Sequence, residues 1–371
     1  MKDLKIDRKK GLVYDLTVSK TDIIDTKMES EAPFSGKMVT FIVGKTHMDL
    51  ESKDSIESKS VRRAPNYPEV IPKQRVIRLW SDKVNQQEVQ FLVKAYLPDI
   101  IIVEASVFID NFISPVLFET KKNLLSACRI VLEEFKCRSD FDEEYTVYCV
   151  SNYLGDRASF LAAHQGTIAS LLKNERISLD EDEIKQTLES HIKYGLVDLS
   201  IVDWDGAFLM DPKEDFEPNI ELFEIANDQL LKSRILDDEL DSRLKLTASF
   251  LNGKNKRIFF GSKLLKEMLK EIIQIRTKSI LESASIEQNI KLIGDWYSAR
   301  LYQLISRKFH LEDWGKNINE KLDILEDVYI MASENFSISF RTTLEFILIG
   351  GWFILLLGWF FLFYLDLRKG G

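Results

Sequence analysis

Residues 346–365, FILIGGWFILLLGWFFLFYL, form an apolar run of 20 residues that contains no charged side chain. As a helix rising about 1.5 Å per residue, this run would span roughly 30 Å, which is the thickness of the hydrocarbon core of a bilayer. A helix of a soluble protein keeps a polar face, whereas this stretch is apolar all round. We therefore predict a single transmembrane helix over residues 344–367, followed by a short tail, with the lipid bilayer as its partner.

Two features of the run suit a membrane helix. Charged residues resume directly outside it, at Glu345 and Asp366. Gly351 and Gly358 lie seven residues apart on one helix face, where they either admit a neighbouring helix or are simply tolerated in lipid. The predicted span residues are Phe346, Ile349, Gly351, Trp352, Leu355, Gly358, Trp359 and Phe363.

The two ends of the chain bear on its orientation. Residues 1–10 hold five cationic side chains, but the apolar stretch of a secretory signal does not follow them. Arg368 and Lys369 in the tail favour the opposite orientation, with the tail in the cytosol. We give the missing signal more weight and predict a single-pass C-terminal anchor, with the bulk of the chain in the cytoplasm.

A helical pattern precedes the span. Apolar or small side chains recur every three or four residues from 314 to 343, with charges on the other faces. This seam contains Ile318, Leu322, Leu325, Tyr329 and Phe336. A bundle within one chain and a coiled coil between chains would bury the same stripe, so both stay open, and with them a homo-oligomer or a protein partner. Together with helices predicted over 228–251, 263–285 and 286–309, the seam makes residues 227–343 a helical or coiled-coil region.

In residues 1–226, predicted strands alternate with predicted helices, unlike in the helical region that follows. Apolar and β-branched runs predict strands over 12–18, 38–43, 75–79, 99–108, 145–153 and 220–225. Helices are predicted over 86–95, 110–135, 158–172 and 180–194. A hairpin is predicted over 199–210, because Asp205-Gly206 between apolar runs suits a type I′ turn. The polar segment 45–73 is predicted to be a mobile surface loop.

The predicted fold class is therefore α+β. An N-terminal mixed α/β domain is followed by a helical bundle or coiled-coil stalk and by one C-terminal transmembrane helix.

The composition excludes several classes of function. The 371 residues include 50 Lys+Arg and 59 Asp+Glu, a net charge of −9, and 45% are hydrophobic. The negative charge, without a long basic block, argues against nucleic acid as a partner. Cys128, Cys137 and Cys149 lack paired spacing, and the four histidines are scattered. These residues predict reduced thiols and no metal site.

The candidate catalytic motifs are incomplete. Gly44-Lys45-Thr46 follows a strand, but Val39 stands where a phosphate-binding loop needs its first glycine. The stretch containing Asp203 and Asp205 is similar to the metal-binding Asp segment of aminoglycoside-type phosphotransferases, yet residues 191–198 supply no upstream Asn ligand. We predict no catalytic residues and no cofactor. The alternative is a membrane-tethered, metal-dependent phosphotransferase or hydrolase that uses the Asp203/Asp205 hairpin.

Short motifs follow one another through residues 225–371. They are the stretch 225–231, Trp296 with Arg300-Leu301-Tyr302, Asn319-Glu320-Lys321-Leu322, and Leu344-Glu345 before the apolar span. Their order resembles the end of the meiotic-nuclear-division and sporulation family of uncharacterised membrane-anchored proteins. The resemblance implies a membrane-tethered α+β domain with a coiled-coil stalk that tends to oligomerise, and in mitochondrial members a supporting role around protein synthesis. It brings no catalytic residues.

These observations predict a membrane-anchored, non-catalytic scaffold or regulatory protein. It would present a cytosolic α+β domain at a membrane through a coiled-coil stalk. A transport accessory is a weaker alternative, because a single span without intramembrane charge offers no ion path. The process, the ligand and the identity of any partner are left open by the sequence.

Overall fold

The computed structural model describes residues 33–48, 50, 74–252, 267, 270–277 and 296–369. The predicted strand 12–18, most of the predicted loop 45–73, and large parts of the predicted helices 263–285 and 286–309 lie outside these ranges.

An eight-stranded sheet forms the centre of the described chain. Its strands are β1 (Ser35–Thr46), β2 (Gln74–Val84), β3 (Gln87–Tyr96), β4 (Ile100–Ile109), β5 (Cys137–Asn152), β6 (His191–Ile192), β7 (Leu199–Val202) and β8 (Gly206–Met210). The spatial order is β2-β3-β4-β1-β5-β8-β7-β6, and the pairing is antiparallel throughout except between β5 and β8. The mixture of helices and strands predicted for this part of the chain is confirmed.

Helices cover both faces of the sheet. They are α1 (Val116–Glu134), α2 (Arg157–Lys173), α3 (Glu181–Glu189), α4 (Glu217–Asn252), α5 (Trp296–Lys308) and α6 (Leu311–Lys369), and residues 270–277 are also helical. Helices α1 and α2 pack on one face, and α4 and α5 pack on the other. Because successive side chains of a strand point to opposite faces, β1 contributes to both cores: Met38 and Ile42 to the first, Val39 and Phe41 to the second.

The predicted helix over 86–95 is wrong, because these residues form β3. Val89, Phe91 and Val93 are buried while Glu88 and Gln90 are exposed, which is the two-residue period of a strand. The hairpin from β2 to β3 turns through Asn85 and Gln86, both of which have positive φ, at 49° and 69°. Two positive φ values are the requirement of a type I′ turn, and the absence of a glycine concealed it.

The predicted strand over 220–225 is also wrong, because this stretch belongs to α4. The buried side chains Ile220, Phe223 and Asn227 recur every three or four residues, and Pro218 lies in the first turn, where proline is tolerated. The predicted helix 228–251 is the continuation of the same helix. The predicted domain boundary between residues 226 and 227 therefore falls inside α4.

The hairpin over 199–210 is confirmed, but its turn differs from the predicted one. The backbone N–H of Asp203 donates to the carbonyl of Gly206, so Trp204 and Asp205 form the tip. Neither of them has positive φ, so the turn is not type I′. Gly206 instead opens β8, where an added Cβ would lie 2.8 Å from the carbonyl oxygen of Thr146 on β5. The glycine serves the close approach of two strands.

Helix α6 contains 59 residues and joins the predicted seam to the predicted span without a break. Its first part packs against α4 and α5. The part of α6 that precedes the apolar window, from Leu311 up to Leu344, corresponds to about 50 Å of helix.

Candidate functional site

The C-terminal part of α6 has the length and composition of a membrane span. Among the described residues, one helix meets both criteria, over the window Leu344–Phe361, with a mean hydropathy of 2.1 and none of the window buried. Of the predicted span residues, Phe346, Ile349, Trp352, Leu355 and Trp359 are each more than half exposed. Space is open around Gly351 and Gly358, since an added Cβ would meet no atom within 4 Å. The side chain of Phe363 lies outside the described ones.

The predicted seam faces the interior of the same chain. Ile318, Leu322, Leu325 and Tyr329 are buried in one apolar cluster with Leu240 of α4 and Ile272 of the helical segment 270–277. The side chain of Phe336 lies outside the described ones. Within the described residues, the contacts of the seam are therefore those of a helical bundle within one chain.

Polar contacts surround this helical packing. The hydroxyl of Thr247 on α4 donates to the hydroxyl oxygen of Tyr329 at 3.0 Å. Lys321 pairs with Asp237 at 2.7 Å and Asp241 at 2.5 Å. Ion pairs at such accessible positions contribute little to stability, so the buried apolar seam carries most of the packing energy.

A buried ion cluster attaches α4 to the sheet. The ammonium of Lys94 on β3 lies 2.7 Å from Glu224 of α4 and 3.1 Å from Glu104 of β4, and the hydroxyl of Tyr96 donates to Glu224 at 2.8 Å. All four residues are at most 4% exposed. In such surroundings each unpaired charge would cost several kcal/mol, so the geometry of the cluster is strongly specified.

The pKa values of the cluster reflect burial and mutual attraction. Burial raises the pKa of Glu224 to about 7, although Lys94 opposes this shift. Burial alone would lower the pKa of Lys94, but Glu224 and Glu104 outweigh it, and the pKa is raised. Lys94 therefore stays protonated at neutral pH, and the group of this cluster whose raised pKa lies near neutral pH is Glu224.

The hairpin tip connects helices from opposite faces of the sheet. One carboxylate oxygen of Asp203 lies 2.9 Å from the ammonium of Lys308 on α5, and the other lies 3.2 Å from that of Lys173 on α2. The backbone carbonyl of Asp203 accepts a hydrogen bond from Tyr145 at 2.9 Å. Asp203 is 3% exposed, so its role in the structure is that of a buried ion-pair partner.

The arrangement at the tip bears on the metal-dependent alternative. Asp205 is exposed and has a pKa raised by partial burial, with Lys121 opposing the shift. A divalent cation at Asp203 would have to displace two ammonium groups. Within the described ranges, no three His, Cys, Asp or Glu side chains gather closely enough to hold a metal ion.

The buried ion cluster is the feature that sequence reasoning missed. Lys94 and Glu104 each interrupt an otherwise apolar run, at 91–96 and 100–105, and they lie on paired strands. A charge inside a buried strand predicts a partner, since lone buried charges are rarely tolerated. Their pairing with Glu224 could not be foreseen while residues 220–225 were interpreted as a strand.

The chain is similar to an uncharacterized archaeal protein. Residues 45–217 match a family model described as the N-terminal domain of the uncharacterized protein MJ0711, and this match ends at the first residue of α4. The chain is 28% identical to Uncharacterized protein MJ0711 of Methanocaldococcus jannaschii over 315 residues, which is 85% of this chain and 94% of that protein. No solved structure matches the chain. The resemblance of the C-terminal half to the meiotic and sporulation family stays a prediction.

Proposed function

We propose that this protein is a membrane-anchored, non-catalytic scaffold or regulatory protein that holds its α+β domain at a membrane through a helical stalk. The observation that carries the proposal is the continuity of α6, which is packed into the chain at Leu322 and Leu325 and uncovered over Leu344–Phe361. An uncovered apolar segment of this length is stable in lipid and costly in water.

Helix α4 connects the sheet to α6. Glu224 near its start belongs to the buried ion cluster, and Leu240 further along packs on the α6 seam. Because α4 contacts both the sheet and α6, it determines where α6 lies relative to the sheet. The α+β domain is thereby kept at a distance set by α6, about 50 Å of helix before the apolar window.

The proposed orientation places the α+β domain on the cytosolic side. All three cysteines are free, and Cys128 and Cys149 are buried, which suits a reducing compartment.

Association between chains would need a surface other than the seam. Because the described seam is occupied within one chain, a homo-oligomer or a protein partner would use another surface, and the uncovered span with Gly351 and Gly358 is the surface we propose.

The proposal is tested by liposome flotation of two proteins, the full chain and a truncation after residue 341. We expect the full chain to float and the truncation, which retains the buried seam, to stay in the dense fraction. Leu355→Arg in the full chain should reduce insertion, because a charge at the centre of a span costs about 3 kcal/mol. Flotation of the truncated chain would show a second membrane contact and contradict the single anchor.

Orientation is tested separately in sealed membranes with a tag at the C-terminus. Added protease should remove the α+β domain and leave the tagged tail protected. Protection of the domain instead would reverse the proposed orientation while leaving the anchor itself intact.

A further inference from the structure

A polar cleft lies between α5 and the segment that connects α3 to β6. Its volume is about 420 Å³. Helix α5 lines one wall with Arg300, Gln303, Arg307 and Lys308, and the opposite wall includes Gln186 and His191. This cleft is separate from the buried ion cluster and from the membrane span.

The cleft is positively charged in a protein whose net charge is −9. Three cationic side chains line it, against the single carboxylate of Glu189. Lys308 is already engaged by Asp203. Neither Arg300 nor Arg307 forms an ion pair with an acidic residue in the part of the chain that the structure describes. Two arginines without acidic partners in the described residues therefore line one cleft.

The two arginines lie at different positions along α5 and have different contacts. Arg307 lies in the last turn of α5, where the helix dipole favours a cation, and its Nε donates to the carbonyl of Gln303 at 3.4 Å. Arg300 lies in the middle of the helix, where the dipole gives no such reason. Its guanidinium stacks on the indole of Trp296, 4.4 Å from the ring centre, which restricts its position.

The spacing of these residues places their donors on one helix face. Arg300, Gln303 and Arg307 are related by three, four and seven residues, and all three line the cleft. Guanidinium groups bind phosphate oxygens with two parallel hydrogen bonds, and side-chain amides add neutral donors. The α5 wall of the cleft therefore carries the hydrogen-bond donors that an oxyanion-binding site needs.

We propose that this cleft binds a phosphate group carried by a soluble small molecule, with Arg300 and Arg307 as its principal contacts. Binding there would go beyond anchoring, because it would make the membrane-tethered domain responsive to a ligand. The phosphate of a lipid headgroup has the same chemistry, but the cleft lies beside the start of α6, about 50 Å of helix before the apolar window. The geometry therefore favours a soluble source.

Isothermal titration of the full chain in phosphatidylcholine nanodiscs with pyrophosphate tests the proposal. We expect saturable binding that becomes about tenfold weaker in Arg300→Gln and in Arg307→Gln, since each loses a charge-assisted contact. Arg176→Gln is the matched control. It removes the same charge from an exposed position outside the cleft and should leave the affinity within about twofold.

The outcomes separate the alternatives. Absence of binding at millimolar pyrophosphate, or equal weakening in all three variants, would overturn the proposal. Repeating the titration in nanodiscs that contain phosphatidic acid should leave the affinity unchanged. Loss of binding there would assign the cleft to a lipid headgroup and contradict the soluble ligand. The readout does not depend on the orientation of the anchor, so failure here leaves the proposed function standing.

Discussion

The ammonium nitrogen of Lys94 lies 2.7 Å from Oε1 of Glu224, and neither side chain is more than 5% exposed. This pair joins β3, the second strand from one edge of the sheet, to α4. Because α4 also packs on α6, an ion pair inside the sheet domain helps to determine where α6 lies relative to the sheet. The position of α6 and the stability of the sheet domain are therefore linked through α4.

Removal of the ammonium by Lys94→Met should destabilise the protein, and more so at pH 8 than at pH 5. The variant leaves Glu104 and Glu224 buried without their cation, at an expected cost of about 3–5 kcal/mol at neutral pH. A carboxyl whose pKa is raised on folding takes up a proton in the folded state, so its contribution to stability falls as pH rises above the unfolded value of about 4.3. Burial already raises the pKa of Glu224 to about 7 with Lys94 in place.

Chemical denaturation at the two pH values measures this difference. Lys37→Met is the control, because Lys37 pairs with Glu217 at 3.1 Å in a partly exposed position, and it should cost about 1 kcal/mol or less. An equal loss at pH 5 and pH 8 for Lys94→Met would show that Glu224 does not take up a proton on folding.

The sequence predicted the elements whose patterns were locally unambiguous. β1, β4, β5 and α1 occur where the apolar runs placed them, because long buried runs between turn residues have few other interpretations. The two wrong predictions, at 86–95 and 220–225, concern segments in which the sequence signal for the element type was weak. The turn at Asn85-Gln86 lacks the usual glycine, and the alternation of β3 was taken for a helix. At 220–225 a short apolar run fitted both periods, and Pro218 was the signal that should have decided it.

Among the functional features, too, those that depend on local sequence were predicted and those that depend on distant contacts were missed. The apolar window and the seam depend on neighbours along one helix, so periodicity was enough to locate them. The buried ion cluster depends on contacts across 130 residues between Lys94 and Glu224, and the cleft depends on α5 lying beside β6. Such juxtapositions follow from the strand order of the sheet, which no local pattern specifies.

A charge introduced into the seam should unfold the helical packing. Leu322→Asp and Leu325→Asp each bury a carboxylate without a partner, and we expect a loss of about 3–5 kcal/mol in the free energy of unfolding. Ile324→Asp makes the same change at a neighbouring position that is 51% exposed and should cost less than about 1 kcal/mol. Thermal melts of the three variants compare these effects. Similar melting temperatures would mean that the seam is solvated.

The ion pairs at the hairpin tip are tested by Asp203→Asn. The change leaves Lys173 and Lys308 without their shared carboxylate, and we expect a loss of about 2–3 kcal/mol. Asp205→Asn, at an exposed position two residues away, should change stability by about 0.5 kcal/mol or less. Titration with Mg²⁺ provides a second readout. Magnesium-dependent stabilisation that both variants abolish would instead support a metal at these carboxylates.

Two glycine positions should respond to alanine in opposite directions. An added Cβ at Gly36 would lie 2.0 Å from the backbone carbonyl oxygen of Cys149, so β1 and β5 would have to separate, at an expected cost of about 3 kcal/mol or more. An added Cβ at Gly315 on α6 meets no atom within 4 Å, and Gly315→Ala should stabilise the helix by about 0.5–1 kcal/mol. Denaturant midpoints of the two variants give the comparison. If Gly315→Ala lowered the midpoint, that position would contact something other than solvent, and the start of the stalk would be a further surface for a partner.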